Sequence, residues 1–585
     1  MTALSGMTLK SRRCRPQERR RLAALCLLFA GATGAHAQVV AVPPAPQIGS
    51  SNPITAEPEV ARPHSSPCVV QLFQDLKFAD FTPKVFNYTP PAGCPGPWAK
   101  VVFTADFTVS AGRQFDRTAA FYLGHANIYY GTTAEPRTTP PLSPSWHVER
   151  DVTDLTAIFE APQAGEANLG NFVGVSGGVT YNGIIYANAA LEFYPAADDA
   201  SAPRTADIVV PVNGAGGDAG ALNTTTDSIT QTLNLPRNVE RVYLDVIAQS
   251  QSNDEFWYFC VPDDQANNLL SCGQTAFRET EVTIDGEPAG VAPVYPWIYT
   301  GGIDPFLWEP IPGVQTLDFR PYRVDLTPFA GLLADGNPHA LAVSVYNADS
   351  YFRATANLLV FTDHGAQSVA GGLLSNTLTA APSPRVRENI QSHADGTYTG
   401  SILVSSQREF AISGYVDTSH GRVVTTVEQT IDFRSAQQFD VNPATSSPDI
   451  QNAQQITTVD SRVSTREGSR VSTSEQHLRY PLTLNYSLVG DGSGGFIQTT
   501  TSDQGDIERE SPDGADQGLF TLDNEVKATD TLNFDAGFHV SGHSGSLTTQ
   551  RYLAVSPQGC FSRTLLAQAQ KLVSVTDGAG CEGGD

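Results

Sequence analysis

Acidic side chains set among aromatics are the residues of this 585-residue chain best suited to chemistry. Asn253-Asp254-Glu255-Phe256-Trp257-Tyr258 opens one such stretch, and Gly301-Gly302-Ile303-Asp304-Pro305-Phe306-Leu307-Trp308 closes it. Trp257, Trp297 and Trp308, three of the five tryptophans, lie between those limits. Carboxyl groups on loops can position a water or pass a proton. Aromatic faces beside them suit a sugar or another polar ligand with one apolar face. Taken singly, each aromatic reads equally well as core and each acid as solvated. A second cluster is Gly112-Arg113-Gln114-Phe115-Asp116-Arg117. An Asp between two Arg residues is expected to stay ionised as pH falls, if the cations approach it.

The elements that must carry these residues read as β. Apolar runs are short and broken by Pro and Gly, as in Val101–Phe107 and Gly183–Tyr194. Val242, Leu244 and Val246 alternate with Tyr243, Asp245 and Ile247, and Leu341, Val343 and Val345 repeat the pattern. The expected fold is all-β: two adjacent jelly-roll or β-sandwich domains, 67–200 and 207–365, then a β-rich C-terminal domain, 385–585. Ser461-Arg462-Val463-Ser464-Thr465 recurs at Ser469–Thr473, with Gly468 between the copies, which predicts a hairpin. One helix is expected, over Arg563–Leu572. Residues 38–66, rich in Pro, Ser and Ala, read as a flexible leader.

Lys10–Arg21 is basic, Leu22–Ala32 is apolar, and Ala35-His36-Ala37 is a small-x-small cleavage site. This pattern predicts a secretory signal peptide over 1–37 and a secreted or periplasmic product. The first 37 residues hold seven of the 36 basic and one of the 61 acidic residues, leaving 29 against 60 and a net charge of −31. Such a surface repels nucleic acid and anionic membrane, so neither is an expected partner, and a monomer is expected. Six cysteines remain, and sequence neighbours predict Cys68–Cys94, Cys260–Cys272 and Cys560–Cys581. No metal or cofactor is implied: no H-E-x-x-H, calcium loop or glycine-rich loop feeding a helix occurs. Gly174-Val175-Ser176-Gly177-Gly178 matches the nucleophile-elbow pattern, but the residues after it read as a strand, so a hairpin turn is expected.

Four motifs occur in order: Gly112–Arg117, Asp254–Tyr258, Gly301–Trp308, and Tyr322-Arg323-Val324-Asp325-Leu326-Thr327-Pro328-Phe329. Together they resemble the peptide:N-glycosidase A family over about residues 68 to 365. The resemblance implies the paired jelly roll of the peptide:N-glycosidase F type. It also implies hydrolysis, in mild acid, of the amide between Asn and the first GlcNAc of N-glycoproteins, core-fucosylated ones included. Phe115-Asp116-Arg117 matches the Trp-Asp-Arg triplet of the peptide:N-glycosidase F type, which makes Asp116 the expected catalytic carboxylate. Glu255 is its expected acidic partner, with Glu279 in reserve. Arg278 is expected at the oxyanion or a carbonyl, and Trp257, Tyr258, Trp297 and Trp308 on sugar faces. Arg113, Arg117, Asp254 and Asp304 complete the expected substrate contacts. The family usually has Asn at the position of Asp304 and Arg at that of Glu309. The competing readings are a secreted carbohydrate-binding β-sandwich protein and an endoglycosidase attacking the anomeric carbon with the same carboxylates.

Overall fold

The computed structural model describes residues 46–138, 140–512, 519–557 and 559–581. The expected signal peptide lies outside the described residues. The fold is all-β; the only described α-helical segments are single turns at Thr156–Phe159 and Ala330–Leu333.

Two four-stranded antiparallel sheets come first. Cys68–Phe78, Ile185–Pro195, Trp98–Val109 and Ser145–Asp151 form one in that order. Lys84–Tyr88, Gln163–Asn168, Thr118–Leu123 and Ala126–Thr132 form the other. Aromatic strand residues lock them face to face, Phe103 on Tyr129 at 5.6 Å and Phe107 on Phe121 at 5.9 Å between ring centroids. A second pair of sheets follows within 208–362. Val239–Ser250 and Asp349–Thr362 are its central partners, and Val242, Leu244, Val343 and Leu341 are fully buried in its core.

From Ala370 to Asp577 the chain builds one antiparallel sheet of eleven strands, nearly all joined to their sequence neighbours. Its longest strands run 21 residues. One face is buried at every second residue, as at Ile402, Val404, Ser406, Arg408, Phe410 and Ile412. That face packs on the second pair of sheets: Phe433 meets Phe277 at 5.0 Å and Tyr480 meets Tyr295 at 4.9 Å. Polar side chains on it reach loop carbonyls, Gln437 Nε2 donating to Phe259 and Gln504 Nε2 to Pro296.

Two sequence expectations are corrected here. Arg563–Leu572 is a hairpin, not a helix: strands Gly559–Gln568 and Lys571–Asp577 meet at Ala569-Gln570, both at positive φ. Arg563, Leu565 and Ala567 are buried alternately, the period of a strand. The second correction concerns residues 49–62, which are strapped down rather than flexible. Gly49 N–H donates to Leu572, Leu572 N–H to Ser50, and Ile54 N–H to Pro310. Ala56 is fully buried, Glu57 pairs with Arg320, and Arg62 pairs with Glu149 at 2.6 Å. Composition predicts looseness, but three ion pairs and a buried Ala make this segment part of the packing.

The Gly468-Ser469 hairpin forms as expected, with Glu467 opposite Arg470 and Gly468 at φ 58°. Gly174–Gly178 is likewise a hairpin, turning at Gly177-Gly178. All three expected disulfides are present. Protein beginning at Gln38, denatured without reductant, should return no free thiol on titration; two or more would contradict the pairing.

Candidate active site

Asp116 and Glu255 come from different pairs of sheets. Asp116 stands just before the strand Thr118–Leu123. Thr118 lies opposite Thr132, and beyond that pair the ladder continues: Arg117 N–H donates to Thr133 Oγ1 and Thr133 N–H to the Arg117 carbonyl, both at 2.9 Å. This register carries Glu135 back to Asp116, whose own N–H donates to Glu135 Oε1 at 3.2 Å. Glu255 follows the strand Val239–Ser250 after one short 3-10 turn.

A buried polar chain fixes the two sides together. Tyr130 of the first pair of sheets donates to Gln249 Oε1 at 2.9 Å, and Gln249 Nε2 donates to Tyr299 Oη at 2.9 Å. Tyr299 in turn donates to the Ser250 carbonyl. Thr300 Oγ1 bonds the Thr133 carbonyl at 2.5 Å, which seats Gly301 against the carboxyl cluster. A methyl group at Gly301 would overlap Glu135 Oε1 and stand 2.6 Å from Asp116 Oδ1. Only the absence of a side chain lets that backbone approach so closely.

The electrostatics follow from crowding acids in a partly dry cleft. Asp116, Glu135, Glu255 and Glu309 all keep partial solvent access. Burial pushes the Asp116 carboxyl up to about 6, against the Gly301 amide and the Arg117 guanidinium, which favour its charged form. Burial, then the Asp116 charge, pushes Glu135 up to about 8. The same two causes raise Glu255 to about 7. Glu309 rises to about 7 by burial, although Arg137 pairs with it. A cation therefore does stand at this corner of the site, supplied from position 137. Near neutrality the cluster holds Asp116 ionised beside neutral Glu135, the arrangement that two adjacent carboxyls require.

This corrects the expectation that two arginines hold Asp116 ionised in acid. Arg113 is exposed and lies 5.8 Å over the Tyr181 ring, and Arg117 spends one Nη on Gln114 Oε1 at 2.6 Å. Burial outweighs what remains. Arg117 Nε is buried and has no hydrogen-bond partner among the described residues, so a donor beside Asp116 is unspent.

Several expected site residues are structural instead. Trp257, Tyr258, Trp297 and Trp308 are buried, at most 4% exposed, and cannot stack on a sugar in this structure. Trp297 packs on Phe319, and Trp308 Nε1 donates to the Gly302 carbonyl at 2.9 Å. Arg278 and Asp254 form a completely buried ion pair, Nη2 to Oδ1 at 2.8 Å, and Asp254 Oδ2 accepts from Asp349 N–H. Both charges are therefore spent on each other rather than on a substrate. Glu279 is buried against Arg408 of the C-terminal sheet at 2.8 Å, so its carboxyl is committed to that pair rather than to a substrate. Asp304 is buried too, accepting from Phe306 N–H at 3.0 Å as the cap of the turn Pro305–Trp308. The aromatics actually exposed beside Asp116 are Phe115, 47% exposed, and the half-buried Tyr181, with ring centroids 5.6 Å apart.

The pattern of the family "Peptide N-acetyl-beta-D-glucosaminyl asparaginase amidase A" matches residues 53–378. The almond (Prunus dulcis) peptide-N4-(N-acetyl-beta-glucosaminyl)asparagine amidase A is 30% identical over 470 residues, 77% of this chain and 79% of the relative. This chain belongs to that amidase family. Among solved structures, PNGF-II matches at a TM-score of 0.35 and 13% identity over 51% of this chain and 66% of that one. PNGase F from Flavobacterium meningosepticum matches at 0.33 and 14% over 51% of this chain and 96% of its own. The four carboxyls Asp116, Glu135, Glu255 and Glu309, and Gly301 with them, lie inside the stretch matched by the family.

Replacing Arg278 by Met leaves Asp254 charged and unpaired in the core. The variant should lose about 3–5 kcal/mol of stability. Chemical denaturation checks this, and a variant as stable as the parent would restore Arg278 as a substrate contact.

Proposed function

We propose that this amidase-family chain hydrolyses the amide joining Asn to the first GlcNAc of N-linked glycans on proteins and peptides. The observation that carries the reading is the juxtaposition of Asp116, Glu135 and Glu255 at the meeting of two pairs of sheets, beside an unspent Arg117 N–H. An amide resists attack unless water is held at its carbonyl carbon and the oxyanion is stabilised. Ionised Asp116 holds the water and takes its proton. Arg117 Nε, with its proton still to donate, faces the developing oxyanion. Glu255, neutral as pH falls below about 7, protonates the leaving nitrogen. Asn becomes Asp, and the glycan leaves as a glycosylamine that then sheds ammonia. No cofactor enters any step. We further propose that the enzyme works as an exported monomer and accepts core-fucosylated glycans.

The pH dependence follows from the two raised carboxyls that must differ in charge. Water positioning needs Asp116 ionised, so turnover falls as pH drops through about 6. Proton donation needs Glu255 neutral, so turnover falls as pH rises through about 7. A bell with its top in that slightly acid interval is expected for kcat/KM on a glycopeptide; an optimum above pH 8 would falsify the assignment.

Asp116→Asn should lower kcat by about 10²-fold or more, since Asn neither holds nor accepts the proton. Circular dichroism should report an unchanged fold. Mass spectrometry of the peptide product separates the competing reactions: an amidase leaves Asp, an endoglycosidase leaves a sugar on Asn, and a lectin leaves the substrate whole. Retention of more than about a tenth of the rate would remove Asp116 from the central role.

A further inference from the structure

The segment Gly301–Glu309 touches the carboxyl cluster at both ends, through the Gly301 amide on Asp116 and through Glu309 facing Glu135. Its middle is held by the C-terminal sheet. Gln498 Nε2 donates to the Ile303 carbonyl at 3.2 Å, Ser546 Oγ to Phe306 at 3.2 Å, and Thr548 Oγ1 to Leu307 at 2.7 Å. The Phe306 ring stacks on His543 at 4.0 Å between centroids, 10° from parallel.

At the centre of this contact two carboxyl groups face each other. Asp304 is fully buried and Asp530, in the strand Phe520–Phe534, is 1% exposed. Asp304 Oδ1 accepts from Phe306 N–H, but its Oδ2 and both oxygens of Asp530 have no donor at full hydrogen-bond geometry among the described residues, although the His543 ring and the Thr531 amide both favour the charged form of Asp530. His543 Nδ1 stands 3.6 Å from Asp530 Oδ1, too far for a hydrogen bond. Carboxylates only accept, so two of them can be bonded to each other only through a proton that one of them carries. Bare and ionised, they would repel across a buried contact.

We infer that Asp530 is a positioning residue for the reaction: a proton shared with Asp304 fastens Gly301–Glu309 to the C-terminal sheet and thereby sets the Gly301 amide against Asp116. This rests on the amidase reading of the Asp116 site. Asp304 faces Asp530 and Glu309; Asp530 faces Asp304 and His543. Arg137, paired with Glu309, lies 5.1 Å over the Phe306 ring, and Glu135 lies on the far side of Glu309. His543 is the group beside Asp530 that can carry positive charge, whereas the charged neighbours of Asp304 are both acids. Burial, with Asp530 second, keeps the proton on Asp304 until about pH 8. A carboxyl raised in the folded state stabilises below its unfolded value near 4 and loses that contribution as pH climbs through the raised value.

The test compares Asp530→Asn, Asp530→Ala and the parent on a glycopeptide, with thermal unfolding followed between pH 5 and pH 9. Asn carries a permanent donor for Asp304, so Asp530→Asn should keep the parental kcat at the optimum. Its melting temperature should fall less than the parent's toward pH 9. Ala has neither proton nor acceptor, and its kcat should drop about tenfold with KM little changed, as expected when a loop shifts by a fraction of an ångström. A residue that only stabilised the sheet would lower the melting temperature and leave kcat untouched well below it. Parental kcat in a folded Asp530→Ala, or an Asn variant as impaired as Ala, would overturn the inference. Should the Ala variant not fold, identical pH slopes of unfolding for Asp530→Asn and the parent would overturn it. An inactive parent would instead indict the amidase reading itself, so the two failures are distinct.

Discussion

Carboxyl groups placed close together in a cleft too dry to ionise them all impose the condition around which this molecule is arranged. Asp116, Glu135, Glu255 and Glu309 meet with two arginines, and Arg137 is already committed to Glu309. Protons must therefore reside on some of the acids near neutrality. That requirement turns a set of like side chains into a base and acids without any change of residue type. It also demands rigid placement, because a small separation would let water in and equalise them. The Tyr130–Gln249–Tyr299–Ser250 chain and the Thr300–Thr133 bond supply that placement from the interior.

The site was legible in sequence where local motifs carry it and illegible where the register does. Asp116 and Glu255 stand in recognisable short motifs. Glu135 stands in Thr133-Ala134-Glu135-Pro136, which has no motif at all. Its place is decided by Thr118 lying opposite Thr132, a pairing that no local pattern announces. An acid following a strand that pairs back beside the Gly112–Arg117 motif was the available signal. The aromatics failed for the opposite reason. Trp257, Trp297 and Trp308 look like sugar platforms because sequence shows the ring and hides the direction it faces. Arg278 and Asp254 are similar, since spacing cannot reveal that two charges have found each other. The all-β class was readable from alternation and turn residues throughout. The one helix expected, Arg563–Leu572, fell within a run too short for periodicity to separate helix from strand.

The C-terminal sheet is more than an appendage to the paired sheets. Its buried face sends Gln437, Gln504, Gln498 and Thr548 to carbonyls of the loops that carry the site. Those loops lack strand partners of their own, and their carbonyls would otherwise be buried unsatisfied. A polar face, rich in Gln, Ser and Thr, is thus what a sheet needs when it must support loops rather than another sheet. Glu279–Arg408 adds a buried charge pair across the same contact.

The strap of residues 49–62 gives the fold an unusual closure. Gly49 and Ser50 bond Leu572, in the outermost strand of the eleven, so the start of the described chain pairs with the beginning of that edge strand. An uncovered edge strand is a template for pairing with other molecules. Here the cap is the earliest-made part of the described chain and the edge is nearly the last. The cap must therefore wait through almost the whole of synthesis for its partner. Until then the beginning of that edge strand has its backbone groups unpaired, and cleavage of the strap would free them again.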